Sequence, residues 1–176
     1  QGGVHSLAIA VDLEMVEAES KVLEIIDQAI LAIPSIQTKK GSLQEAYPSE
    51  HSWCVTALVA FDALSAILYL GERITSEKKK AYLAVVQPLI RFISENDEEH
   101  AVISNHLATG VAAIVLWNKI SESRNEHWKA IFKIIVDHQS AEGWHKEYEG
   151  ADPGYATLGL YYLASAALLL EPEEKK

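Results

Sequence analysis

Three short stretches hold most of the residues in this sequence that can do acid–base or ligand-binding chemistry. The first contains Glu45, Tyr47, Glu50, His51 and Trp53. The second contains His100, Asn105 and His106. The third contains Trp144, His145, Glu147, Tyr148, Asp152 and Tyr155. Imidazoles, carboxyls and phenols can all give or take a proton as general acids or bases. Aromatic faces suit the apolar faces of sugar rings, and amides and carboxylates suit their hydroxyls. Polar groups set among apolar ones are the usual layout of a ligand pocket. Brought together, the three stretches would form a cleft with aromatic platforms and acid–base groups.

Each of these residues has a plainer reading. Glu50 and Asp152 precede helical patterns, where a carboxylate caps free backbone N–H groups. Trp53 and Tyr155 also read as core aromatics. Asn105 can be a cap, but His106 then enters an apolar helix, where an unpaired imidazole is costly. Trp144 follows Gly143 in a loop, which suits a ligand platform. His5, His127 and His138 read as surface or satisfied core residues, and Cys54 as a small buried hydrophobe. His51, His106 and His145 match no metal-binding spacing. The sequence has no His-Glu-x-x-His, no Cys-x-x-Cys, no phosphate-binding glycine loop and no Gly-x-Ser-x-Gly. Neither a metal nor a cofactor is expected.

The elements that must position these residues are helices. Ala57, Phe61, Leu64 and Leu68 follow one helix face, as do Leu83, Val86, Ile90 and Ile93. No stretch alternates like a strand bounded by hairpin turns. The pattern predicts seven helices, near 5–18, 20–33, 51–70, 75–95, 104–120, 124–138 and 154–170. Ser20, Thr75 or Ser76, Ser104 and Ser123 are the expected caps, and Pro88 should kink the fourth helix or mark irregularity in it. The helices near 51–70, 104–120 and 154–170 are apolar nearly all round and should be buried on most sides. Those near 20–33, 75–95 and 124–138 carry a charged face and should lie outside.

An internal repeat fits this alternation. Gly41-Ser42-Leu43-Gln44-Glu45-Ala46 leads into Glu50-His51-Ser52-Trp53. Gly143-Trp144-His145-Lys146-Glu147-Tyr148 leads into Asp152-Pro153-Gly154-Tyr155. Asn105-His106 falls about midway between them. The period is one helical hairpin of roughly fifty residues, as expected of an α/α toroid or helical solenoid. In a toroid, Trp53, His106 and Tyr155 would share one rim.

Composition narrows the classes further. The chain has 176 residues and a net charge of −10, with 49% hydrophobic and 23% charged residues. That reads as one domain over 1–176 with a real core. The acidic balance argues against nucleic acid as a partner. A single cysteine excludes an internal disulfide. No charge-free run reaches the ~18 residues of a membrane helix. No signal peptide is seen, so the cytoplasm is the default compartment.

The Gly143-Trp144-x-x-Glu147-Tyr148-x-Gly150-Ala151-Asp152-Pro153-Gly154-Tyr155 stretch, with Ser104-Asn105-His106, resembles the toroid domain of heparinase II/III-like polysaccharide lyases and bacterial relatives. The resemblance covers about residues 41–170. It implies an incomplete (α/α) toroid that cleaves uronic-acid polysaccharides by β-elimination. By the same resemblance Asn105 neutralises the uronate carboxylate and His106 is the base or its helper. Tyr155 or Tyr148 is the proton donor, and Trp144 and Trp53 form the sugar-binding floor. The junctions themselves, apart from the resemblance, add Glu50, His51, His145, Glu147 and Asp152 to the expected binding set.

The leading expectation is therefore an all-α carbohydrate-active toroid, part or whole. The alternatives are a non-catalytic glycan- or peptide-binding module, suggested by the acidic rim, and a helical assembly unit. Three and a half hairpins leave the last helix without an outer partner. A second copy of the chain, or residues beyond Lys176 if the chain is a fragment, would cover it.

Overall fold

The computed structural model describes residues 3–174. The helical spacing is realised as α1 (Gly3–Asp12), α2 (Glu19–Ile36), α3 (Trp53–Leu70), α4 (Ser76–Glu95), α5 (Ser104–Ser121), α6 (His127–Asp137) and α7 (Pro153–Leu169), with a 3-10 turn at Gly71–Arg73. No strand occurs among the described residues, only isolated bridges such as Leu43 with Ser52 and Ile103 with Glu147. The all-α expectation holds.

The odd-numbered helices form an inner row and the even-numbered ones return outside it. α3 packs against α1 and α5, and α5 against α7, while α2 sits on α1, α4 on α3 and α6 on α5. The inner helices run in one direction. At one end, Arg73 after α3 bonds Asp12 of α1 at 3.2 Å, and Lys119 of α5 lies 3.8 Å from Glu171 after α7. At the other end, the loop before α7 bonds both the loop before α5, through the Tyr148 N–H and the Val102 carbonyl, and the first turn of α5. Outer helices are tied by Tyr82, whose hydroxyl donates to Asp27 at 2.7 Å. Burial and that carboxylate push the Tyr82 phenol well up.

α3 and α5 are buried almost throughout, as their all-round apolar sequences require. Fully buried Leu64, Ile114 and Leu116 each contribute roughly 1.5–3 kcal/mol of burial. Trp53–Arg73 is apolar and long enough to cross a membrane despite Asp62, yet 72% of its most apolar window is buried against neighbouring helices. Gly110 lets α3 and α5 approach: a Cβ there would stand 2.2 Å from the Trp53 ring.

Several expectations need correction. α7 is apolar all round but is not buried on most sides. Its buried residues are Gly159, Tyr162 and Ala166, while Leu160, Tyr161 and Leu168 are exposed. It packs chiefly on α5, with Tyr161 and Tyr162 also meeting Phe61 of α3 edge-on at 6.2 and 5.0 Å between ring centres, and no outer helix covers it among the described residues. Ser20 lies inside α2, which starts after Ala18. Ser104 opens α5 without capping it, and its hydroxyl is buried with no partner among the described residues. Ser123 does not cap α6; its hydroxyl bonds Asn118 Oδ1 and Ser121, and α6 starts at His127. Thr75 caps α4, while Ser52 and Asp152 cap α3 and α7. Pro88 lies inside α4, which spans Ser76–Glu95 as the apolar spacing predicts.

Candidate functional site

The long connections lie at the end where α3, α5 and α7 begin. They are residues 37–52, 96–103 and 138–152, and together with the first turns of α3, α5 and α7, which hold Trp53, Asn105, His106 and Tyr155, they carry the three chemistry-bearing stretches. Long loops on a rigid helical frame are where binding groups usually sit. The first and third loops open with the same turn. Gln37 Nε2 donates to the Gly41 carbonyl, and Gln139 Nε2 to that of Gly143. Thr38 and Ser140 each place a side-chain oxygen on the backbone N–H four residues ahead. Both turns need a left-handed residue, supplied by Gly41 at φ 90 and Gly143 at φ 93. The repeat in sequence is thus a repeat in geometry.

The first stretch is largely structural. Glu50 Oε2 accepts the backbone N–H groups of Glu45, Ala46 and Tyr47 at 2.8, 2.9 and 3.3 Å. These bonds hold its carboxyl below the usual range. It therefore folds its own loop backward; the cap of α3 is Ser52. His51 Nδ1 bonds Ser42 Oγ at 2.8 Å, and Tyr47 is exposed. Trp53 is 3% exposed, with its indole N–H donating to the carbonyls of Ile93 and Asn96. It offers no open face for a sugar, so the expected floor loses this member to the core.

The second stretch contains a group that sequence reading missed. Glu98, whose side chain is 1% exposed, contacts two imidazoles with different oxygens. Oε1 lies 2.7 Å from His100 Nδ1, and Oε2 lies 2.9 Å from His106 Nδ1. Oε1 also accepts the His100 backbone N–H. Burial alone would raise the Glu98 carboxyl, but bonds from His106 and His100 outweigh it and bring it below its ordinary value. His100 is shifted up, chiefly by its bond to Glu98, then by that charge and those of Glu50 and Glu45. The missed signal was slight: a carboxylate in the acidic run Asp97-Glu98-Glu99, with His100 directly after it and His106 further on.

The third stretch locks onto the second. Asn105 gives its backbone N–H to Glu147 Oε1 at 3.0 Å and its side-chain amide to Oε2 at 2.7 Å. Both residues are buried. Burial raises the Glu147 carboxyl, and the two Asn105 bonds oppose that. The neutralising role expected of Asn105 meets an amide already committed to Glu147. Asp152 accepts from the Tyr155 N–H at 2.9 Å as the cap of α7. His145 Nε2 lies 3.2 Å from Gln139 Nε2. Trp144, Tyr148 and Tyr155 remain open to solvent.

The rim thus gathers His100, His106, Glu98, Asn105 and Glu147, with Tyr148 and Asp152 in the adjoining loop. A cleft of about 220 Å³ lies between the first and second loops, lined by Lys40, Glu50, His51, Glu98, Glu99 and His100. His106 Nε2 has no hydrogen-bond partner among the described residues. No group of three or more metal-binding side chains occurs among those residues. No protein-family model matches the chain, and neither does any curated protein or solved structure.

Proposed function

We propose that this chain is a carbohydrate-active helical domain, built as part of an α/α toroid, that acts on a uronic-acid glycan by β-elimination. The observation that carries the reading is His106. Its Nδ1 is engaged by a buried carboxylate, its Nε2 has no hydrogen-bond partner among the described residues, and the exposed aromatics Trp144, Tyr148 and Tyr155 lie at the same end of the helix row. A base so oriented takes a proton at Nε2.

In this reading His106 removes the proton on C5 of the uronate. The C5 electrons form the C4–C5 double bond as the C4–O4 bond breaks. Tyr155 or Tyr148 gives its proton to O4. Trp144 supplies the stacking face. Because Asn105 is held by Glu147, the charge that offsets the uronate carboxylate falls to the rim lysines Lys40 and Lys146. The test is the ultraviolet absorbance of the unsaturated product on a panel of uronate polymers. A rise that disappears in His106→Ala is expected. No rise on any uronate polymer would end the lyase reading.

A second reading, a helical assembly unit, is favoured by the open face of α7, where Leu168 is 83% exposed. Beside it an apolar groove of about 570 Å³ runs between α6 and α7, lined by Trp128, Phe132, Leu163, Ala166 and Leu170. Light scattering across a concentration series tests it. A strictly monomeric chain at all concentrations would count against self-assembly.

A further inference from the structure

We propose that Glu98 is the positioning residue of this site: it holds His100 and His106 in the Nδ1–H form, so that both Nε2 atoms face outward as proton acceptors. The inference rests on reading His106 as the base, and it adds a second imidazole set by the same carboxylate.

The geometry carries the argument. Glu98 lies in the loop between α4 and α5, and its side chain is almost wholly buried. A carboxylate in that position must be matched by donors, because an unpaired buried charge is strongly unfavourable. Its two oxygens meet two imidazole nitrogens, both Nδ1, at 2.7 and 2.9 Å. An ionised carboxylate is acceptor-only, so each Nδ1 must carry the hydrogen. A neutral imidazole with hydrogen on Nδ1 has its lone pair on Nε2. Free histidine prefers the opposite tautomer, so the arrangement selects the less common form.

Lys40 and Glu99 line the same cleft as His100, but among the described residues neither ring makes a second hydrogen bond. Toward His106 the other charged group is Glu147, from the loop before α7, and both its oxygens are taken by Asn105. Toward His100 the others are Glu50 and Glu45 from the first loop. Glu50 is bound by three backbone N–H groups. The two histidines also differ in access, with side chains 54% and 21% exposed. His100 lines the cleft of the first loop, while His106 sits at the first turn of α5. One carboxylate therefore sets two bases at two depths of the same rim.

The test is nitrogen–proton correlation NMR of the imidazole rings in the full chain, at a pH where both rings are neutral. Each tautomer has its own pattern of nitrogen shifts. The expected result is an excess of Nδ1–H over Nε2–H of about tenfold or more at His106, as a bond to an ionised acceptor should give. His100 should show the same preference, weakened by solvent. Glu98→Ala should return both rings toward Nε2–H, while Glu98→Asp should restore part of the preference. A wild-type His106 in the Nε2–H form would overturn the proposal with no variant required, and so would an unchanged pattern in folded Glu98→Ala. Because tautomers are read without any glycan, a failed lyase assay and a failed positioning role give different results.

Discussion

Asn105 and Glu147 grip one another through two hydrogen bonds, one from the backbone and one from the side chain, across 42 positions of the sequence. Through this contact the loop before α7 is fastened to the first turn of α5. The neighbouring backbone bonds, Ser104 N–H to Lys146 and Tyr148 N–H to Val102, extend it into a short clamp.

Glu147→Ala should cost roughly 1–3 kcal/mol, since it leaves the buried Asn105 amide without its acceptor. Asn105→Asp should cost more, because it sets a second carboxylate against Glu147. Urea unfolding curves for both variants check this. An Asn105→Asp protein as stable as the wild type would mean that the clamp carries no weight.

Gly110→Ala should lower stability by about 1–3 kcal/mol through overpacking against Trp53. Trp53→Phe in the same background should recover part of that loss by making room for the new methyl group. The thermal midpoints of the two single variants and the double variant test the coupling, and purely additive changes would contradict it.

The Glu98–His100 contact should give a stability contribution with two edges in pH. Glu98 is shifted down, so its share is present above the unfolded carboxylate value and is lost as pH falls through its folded value. His100 is shifted up, so its share is complete below the unfolded imidazole value and is lost as pH rises through its folded value. Between the two the contribution is greatest. Comparing unfolding free energies of wild type and Glu98→Gln across pH should reveal a difference that peaks near mildly acidic to neutral pH. A difference constant from acid to alkaline pH would refute the assignment.

Trp144 and Trp53 should separate cleanly in binding experiments. Trp144 is 36% exposed and Trp53 is not, so saccharide quenching of tryptophan emission should vanish in Trp144→Phe and persist in Trp53→Phe. Quenching without product formation would favour a binding module over a lyase.

Cys54 should resist alkylation in the folded chain. Burial, then the charges of Glu98 and Glu45, push its thiol up to about 12, so little thiolate exists at neutral pH. Iodoacetamide should label it only as the protein unfolds. Rapid labelling in native buffer would show that this part of α3 opens.

The helices were readable because apolar spacing and burial agree in α3, α4 and α5. The repeat of the Gly41 and Gly143 turns was readable because left-handed backbone constrains residue type. Partners distant in sequence were not readable. Glu50 looks like a helix cap, yet it turns back to bind its own loop. Asn105 looks like a free amide, yet Glu147 occupies it. Trp53 reads equally as a rim or a core aromatic, and Gly110 and the Ile93 carbonyl draw it into the core. In α7, composition described the surface the helix carries, while its burial depends on what packs beside it.

The common direction of the inner helices has an electrostatic consequence. Peptide dipoles add along each helix to roughly half a positive charge at its start. With α3, α5 and α7 side by side, these fractional charges accumulate at one end of the row. Glu147 and Asp152 accept backbone N–H groups at the starts of α5 and α7, and Glu45 lies within 3.4 Å of the Ser52 hydroxyl at that of α3. The carboxylates there serve as counter-charges to the backbone. The field that an approaching anion meets is therefore less repulsive than the count of acidic side chains suggests.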